Sequence, residues 1–174
     1  MLNLEDIERL EECGLWQSAL QGIAKSFEQR PDRETAIRLL FVSWYVLVEW
    51  PCIDSEENLD NDLFEFWLKK VSSYLVSNYS SDSKVNFYHG YMISISPWFF
   101  SKDVDFWEKR ASNMLARAAQ SEPDNPIYQM VYLANTGDEG NDYKHYCEIA
   151  RPIVKDIYSG KGEFNQYFRD VLSR

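Results

Sequence analysis

The sequence predicts an all-α fold built from stacked antiparallel helical hairpins, with about eight or nine helices in a single domain spanning residues 1–174. Three observations predict it. Apolar residues recur at i, i+3 and i+4 through most of the chain, which is the spacing of helices with one buried side. Prolines fall at the ends of those periodic runs, at Pro31, Pro51, Pro97 and Pro123, where a missing N–H and a restricted preceding residue stop a helix. No run of alternating residues competes as a strand; the best candidate, YLVSNYSS, continues a helical stripe.

Taken in order, the first helix covers Leu4–Cys13, with Ile7 and Leu10 facing inward and Glu5, Asp6, Glu8, Glu11 and Glu12 facing solvent; Asn3 is the candidate cap. The second, Leu15–Gln29, places Leu15, Ala19, Ile23 and Phe27 on one face, and the small Ala19, Gly22 and Ala24 let a neighbour approach closely. Pro31 ends it. Asp32 then caps a third helix, Arg33–Val48, whose Ile37, Leu40, Phe41, Trp44, Leu47 and Val48 form a wide apolar face.

Cys52–Asn61 reads as an acidic loop, with a helix start at Asp60. The fourth helix, Asp62–Tyr79, carries Leu63, Phe66, Trp67, Val71, Tyr74 and Leu75 along its stripe. A polar turn leads to the fifth, Lys84–Ser96, with Phe87, Tyr91 and Ile95 directed inward. Trp98-Phe99-Phe100 reads as a hydrophobic plug between hairpins. Asp103 or Asp105 caps the sixth helix, Asp103–Gln120, whose inner stripe is Phe106 or Trp107, then Ala111, Met114, Leu115 and Ala118. The seventh begins at Pro126, a residue suited to a first turn, and runs to about Asn135. TGDEGND is a loop. The eighth starts near Tyr143 and must kink or restart at Pro152, and Phe164–Leu172 closes the fold.

Two stretches share a pattern. Gly14, Trp16, Ala19, Ile23, Ser26 and Pro31 are followed later by Ala111, Leu115, Ala118 and Pro123, with Ala and Pro twelve residues apart in both. This resembles the tetratricopeptide repeat (TPR), whose second helix shows Gly-x-aromatic-x-x-Ala, a large residue, a small residue and Pro. Phe106 and Glu108 replace the Gly and the aromatic in the later copy, and the copies lie 92 residues apart, which is not a multiple of the ~34-residue period. The architecture is therefore a TPR-like stack or an irregular α-α bundle.

Charge is the other informative feature. The net charge is −10. Residues 1–66 hold fifteen Asp and Glu against five Lys and Arg, residues 67–141 eight against seven, and residues 142–174 five against six. All of the excess lies in the first third. Such a surface disfavours nucleic acid and anionic membranes, whose phosphates need Lys and Arg. It favours a basic protein partner. The N-terminus lacks the pattern of a signal peptide, and no apolar run approaches the ~20 residues of a membrane span. Three cysteines, Cys13, Cys52 and Cys147, imply no disulfide framework and a reduced, cytoplasmic setting.

No catalytic chemistry is expected. His89 sits on an aromatic helix, in a setting that suits packing. His145 and Cys147 are two apart, so on a helix they point about 200° from one another and cannot act as a local nucleophile–base pair. SGKGE lacks the phosphate-loop pattern. Asp54, Glu56, Asn58, Asp60, Asp62 and Glu65 fall at calcium-loop intervals, but Leu59 occupies the place where the sharp turn needs Gly. Neither a metal nor a cofactor is expected.

A small, acidic, helical, aromatic-rich chain without an active site is similar in profile to bacterial immunity proteins, including those of contact-dependent growth inhibition. That resemblance implies a basic toxin domain as partner, often a nuclease, blocked at its active site or substrate groove. Asp54, Glu56, Glu57, Asp60 and Asp62 are the candidate charges, and Trp50 the candidate aromatic anchor. The alternative is a TPR-like scaffold or chaperone, resembling type III secretion chaperones and pilus-assembly factors. It would hold a peptide in a groove lined by Ile37, Phe41 and Trp44.

Overall fold

A computed structural model describes residues 4–137 and 140–174. The Asn3 cap and part of the TGDEGND loop, Asp138 and Glu139, lie outside the described residues. Within them the chain is all-helical: α1 (Leu4–Glu12), α2 (Trp16–Gln29), α3 (Arg33–Glu49), α4 (Asn61–Asn78), α5 (Ser83–Ile95), a 3₁₀ turn (Pro97–Phe99), α6 (Val104–Ser121), α7 (Pro126–Thr136), α8 (Asn141–Ile157) and α9 (Gly162–Leu172). No helix among the described residues is long and apolar enough to cross a membrane. The residues fall into two compact units. One holds the chain up to Tyr79 together with Lys161–Phe164; the other holds Ser80–Gly160 and Asn165–Arg174.

In the first unit α3 lies between α2 and α4 and also meets the first turn of α9. Its sequence explains this central place. Ten of its residues, from Ala36 to Leu47, are buried, so it has almost no polar face to offer solvent. Phe41 and Trp44 are fully enclosed, and truncating either to Ala would cost about 3–5 kcal/mol. Phe27 of α2 meets α4 edge-on through Trp67 at 6.4 Å and Tyr74 at 4.9 Å. The Asp32 carboxylate accepts a hydrogen bond from the Thr35 amide and starts α3 as its spacing predicts.

Two expectations for this unit are corrected. Glu8 and Glu11 do not face solvent; Glu11 is only 3 % exposed. Glu11 is buried because its charge is met there by Arg38 and by a backbone N–H of Glu163. On α4, Phe66 is 54 % exposed while Phe64 is buried. Residues two apart on a helix point to opposite sides, so only one of them can join the core, and the stripe runs through Phe64, Trp67, Leu68, Val71 and Leu75. The Lys70 ammonium lies over both the exposed Phe66 ring, 5.4 Å from its centroid, and the buried Trp67 ring, 4.1 Å from its centroid.

In the second unit α5 is the central element. Every residue from Val85 to Ile93 is buried, and the helix packs on α6, α7 and the 3₁₀ turn. Phe168 of α9 sits among Tyr88, Tyr91 and Tyr158, with ring centroids 5.0–5.4 Å away. Asp82, Asp103 and Asn125 cap α5, α6 and α7. Helix α8 continues through Pro152 without restarting; Pro152 is solvent-exposed. The expected plug is divided: Phe100 enters the core, whereas Trp98 is 58 % exposed. Ile95 is also exposed rather than directed inward. Of the two candidates on α6, Phe106 is exposed and Trp107 half-buried, with Trp107 resting 5.5 Å from the Phe100 ring.

Candidate functional site

The acidic loop between α3 and α4 is held against the start of α2. The Leu15 position before α2 supplies no side-chain cap. Glu57, forty residues on, supplies it instead: its carboxylate accepts the Gln17 amide at 2.7 Å and the Ser18 amide at 3.2 Å, and also the Ser18 hydroxyl. A carboxylate on the free N–H groups of a helix start satisfies those donors and complements the helix dipole. Further hydrogen bonds fasten the loop. The Ser55 hydroxyl donates to the Gly14 carbonyl at 2.8 Å, the Trp16 indole N–H to the Asp54 carbonyl at 3.0 Å, and the Asp60 amide to the Gln17 side-chain oxygen at 2.8 Å.

The six residues singled out in the sequence therefore have different situations. Glu57 faces the α2 N-terminus. The Asp60 carboxylate accepts the Asp62 and Leu63 amides and caps α4. Asp54, Glu56 and Asp62 are exposed. Trp50 is 46 % exposed, at the end of α3 where the chain turns into a cis Trp50–Pro51 bond.

Beside the loop is a solvent-open pocket of about 430 Å³. Six carboxylate residues line it, Glu11, Glu12, Glu49, Asp54, Glu56 and Glu163, and its lining contains no Lys, Arg or His. Trp16 and Tyr45 supply aromatic surface, their centroids 5.2 Å apart, and Tyr45 stacks in turn on Phe41 at 5.5 Å. Glu11 differs from the rest: the Arg38 guanidinium neutralises it, and burial nevertheless raises its carboxyl above the ordinary value. Asp54 and Glu56 were legible as candidates from the acidic run in the loop. Glu12, Glu49, Glu163, Trp16 and Tyr45 were not, because they come from four further segments, α1, α2, α3 and α9, that only the fold brings together.

No protein-family model, curated protein or solved structure matches this chain. Its function must be argued from the site.

The histidines lie outside this pocket. His89 is wholly enclosed, and burial, with the nearby positive charge of Arg110, pushes its pKa down to about 3. It is a neutral core residue at physiological pH. His145 is exposed while Cys147 is buried, so they point apart as their spacing predicts. Cys13 and Cys52 are free thiols that border the pocket. Among the described residues no group of three or more His, Cys, Asp and Glu side chains is arranged to hold a metal ion.

Proposed function

We propose that this protein is a non-enzymatic binding module that recognises a basic protein partner through the acidic face of its first unit. The observation that carries the reading is the fastening of the acidic loop to α2, which holds Asp54 and Glu56 at the mouth of a pocket rich in carboxylate residues. A fastened loop loses little conformational freedom on binding. A concave surface of one sign focuses the field and speeds encounter with an oppositely charged partner.

The specific form proposed is an immunity protein that neutralises a basic toxin domain, such as a nuclease, in the cytoplasm. A nuclease groove must be basic to hold phosphates, and an acidic face of this kind can occupy it. The scaffold or chaperone alternative has less support. Its groove was to be lined by Ile37, Phe41 and Trp44, and these side chains are buried in the core.

The test is capture of partners by the full chain from lysate of its source, at low and at high salt, with the wild type and an Asp54→Lys/Glu56→Lys variant. The expected result is one basic partner with nuclease activity, retained at low salt, inhibited by the wild type and lost by the variant. Retention by the variant at unchanged strength would sink the acidic-face reading. Salt-indifferent capture of neutral or acidic clients would favour a chaperone.

A further inference from the structure

We propose that the aromatic and cationic flank of α6, in the second unit, is a docking site for an acidic peptide segment that carries an apolar side chain. None of its residues belongs to the acidic loop or its pocket. On α6, Phe106, Arg110, Asn113 and Arg117 recur at i, i+4, i+7 and i+11, the spacing of one helix face. Phe106 is 54 % exposed, and Asn113 and Arg117 are exposed as well. The 3₁₀ turn that carries the exposed Trp98 packs on the same helix. Aromatic side chains with arginine are the residue types that anchor protein interfaces.

Arg110 decides the chemistry of the partner. Its guanidinium carbon lies 5.2 Å from the centre of the Trp107 ring, which packs in turn 5.5 Å from Phe100. The side chain is half-buried and its Nε enclosed; among the described residues that Nε donates to no acceptor and the guanidinium meets no carboxylate. Arg117 likewise makes no ion pair among the described residues. The carboxylates of α6 do not answer these charges. Asp103 accepts the Phe106 amide at the helix start, and Asp105 and Glu108 stand roughly 140° and 160° around the helix from Arg110. His89 of α5 feels the Arg110 charge but is neutral, so it supplies no counter-charge. Partly enclosed charges are normally paired, and a planar guanidinium held against a ring is pre-organised for a carboxylate. A partner's carboxylates supply what the fold omits, while Phe106 and Trp98 offer apolar contact beside them. Between residues 102 and 117 four cations stand against three carboxylates. That balance is too even for the phosphates of a nucleic acid or an anionic membrane, and it suits a short acidic peptide.

The test uses the full-length, isotope-labelled protein and three short blocked peptides, Asp-Glu-Phe-Asp-Glu, Asn-Gln-Phe-Asn-Gln and Asp-Glu-Ala-Asp-Glu, titrated while indole and arginine Nε–H resonances are followed. The second peptide removes the charge and the third the ring. The expected result is saturable shifts of Arg110 Nε–H and of the Trp98 and Trp107 indole N–H groups with the first peptide. Binding should be about tenfold weaker or more with either of the others, and weaker in about 0.5 M salt. Arg110→Lys, which keeps the charge and loses the planar fork, should weaken binding several-fold. Arg117→Gln and Phe106→Ala change exposed positions, leave the core intact and should do the same. The proposal is overturned by the absence of saturable shifts up to about 5 mM peptide, by equal binding of the charged and neutral peptides, or by affinity unchanged in all three variants. Concentration-dependent sedimentation that Phe106→Ser abolishes would assign the flank to a second copy of this chain and overturn it as well. Asp54→Lys/Glu56→Lys should leave the peptide titration unchanged, so failure here and failure of the acidic-face reading are told apart.

Discussion

Arg38 of α3 grips Glu11 of α1 through two parallel hydrogen bonds, Nε to Oε1 at 3.1 Å and Nη2 to Oε2 at 2.6 Å. The Glu11 carboxylate also accepts the Glu163 amide at 2.9 Å. The Phe164 ring lies 5.1 Å from the Arg38 guanidinium carbon and meets Phe41 edge-on. The pair thus joins α1, α3 and the first turn of α9 within one unit. It sits where neither partner can fall back on water, with side chains 11 % and 0 % exposed.

Removing one partner of such a pair leaves a buried charge. Arg38→Met is expected to cost about 3–5 kcal/mol in urea unfolding at neutral pH. The loss should shrink as pH falls. Burial already raises the Glu11 carboxyl above 4.5, against the pull of Arg38, and removing Arg38 raises it further. A carboxyl with a raised folded value holds its proton more tightly in the native state, so its stability contribution is full below 4.5 and is lost as pH rises through the folded value. Unfolding at about pH 7.5 and about pH 5 measures this; an equal cost at both would show that Glu11 is not the buried charge responsible.

Gly162 tests the same junction sterically. Its φ is +75°, and a Cβ there would stand 2.7 Å from Glu8 Cγ, 2.8 Å from Glu11 Oε2 and 3.0 Å from Arg38 Nη2. Gly137 has a similar φ of +72°, and among the described residues other than its chain neighbours none comes within 4 Å of an added Cβ. Gly137→Ala should therefore cost only the left-handed backbone term, about 1–2 kcal/mol. Gly162→Ala should exceed it by about 1–3 kcal/mol through overpacking. Comparable losses in thermal unfolding would mean that the junction relaxes freely.

Glu57 and Glu56 are neighbours with different work. Glu57→Ala removes the carboxylate that caps the start of α2 and should destabilise by about 1–2 kcal/mol. Glu56→Ala, at an exposed position, should change stability by less than about 0.5 kcal/mol while weakening capture of a basic partner. A chemical-denaturation pair with no difference between the two would remove the capping role.

His89 makes stability pH-dependent in the opposite direction to Glu11. Its pKa falls from 6.5 to about 3 on folding, so the unfolded chain binds more protons between those values. Stability is full above 6.5 and is lost as pH falls toward 3, by roughly 3 kcal/mol at pH 4. His89→Leu should flatten that part of the stability–pH curve, whatever its effect on absolute stability. An unchanged slope would show that other groups dominate acid unfolding.

The sequence by itself determined what depends on near neighbours along the chain. The 3.6-residue period placed the helices, and local chemistry placed Asp32, Asp60 and Asp103 at their starts, because a cap bonds amides only two or three residues away. Charge counting assigned the acidity to the first third, and composition alone made Asp54 and Glu56 candidates. Only the tertiary structure decided what depends on distant segments. Glu57 caps a helix forty residues earlier; Glu11 goes inside because Arg38 and Glu163 wait there; Phe64 displaces Phe66 from the core. The pocket itself draws on α1, α2, α3, the acidic loop and the start of α9. Periodicity records which residues share a face of one helix, but burial of a charge is settled by the partners that another segment brings, and that information is not local.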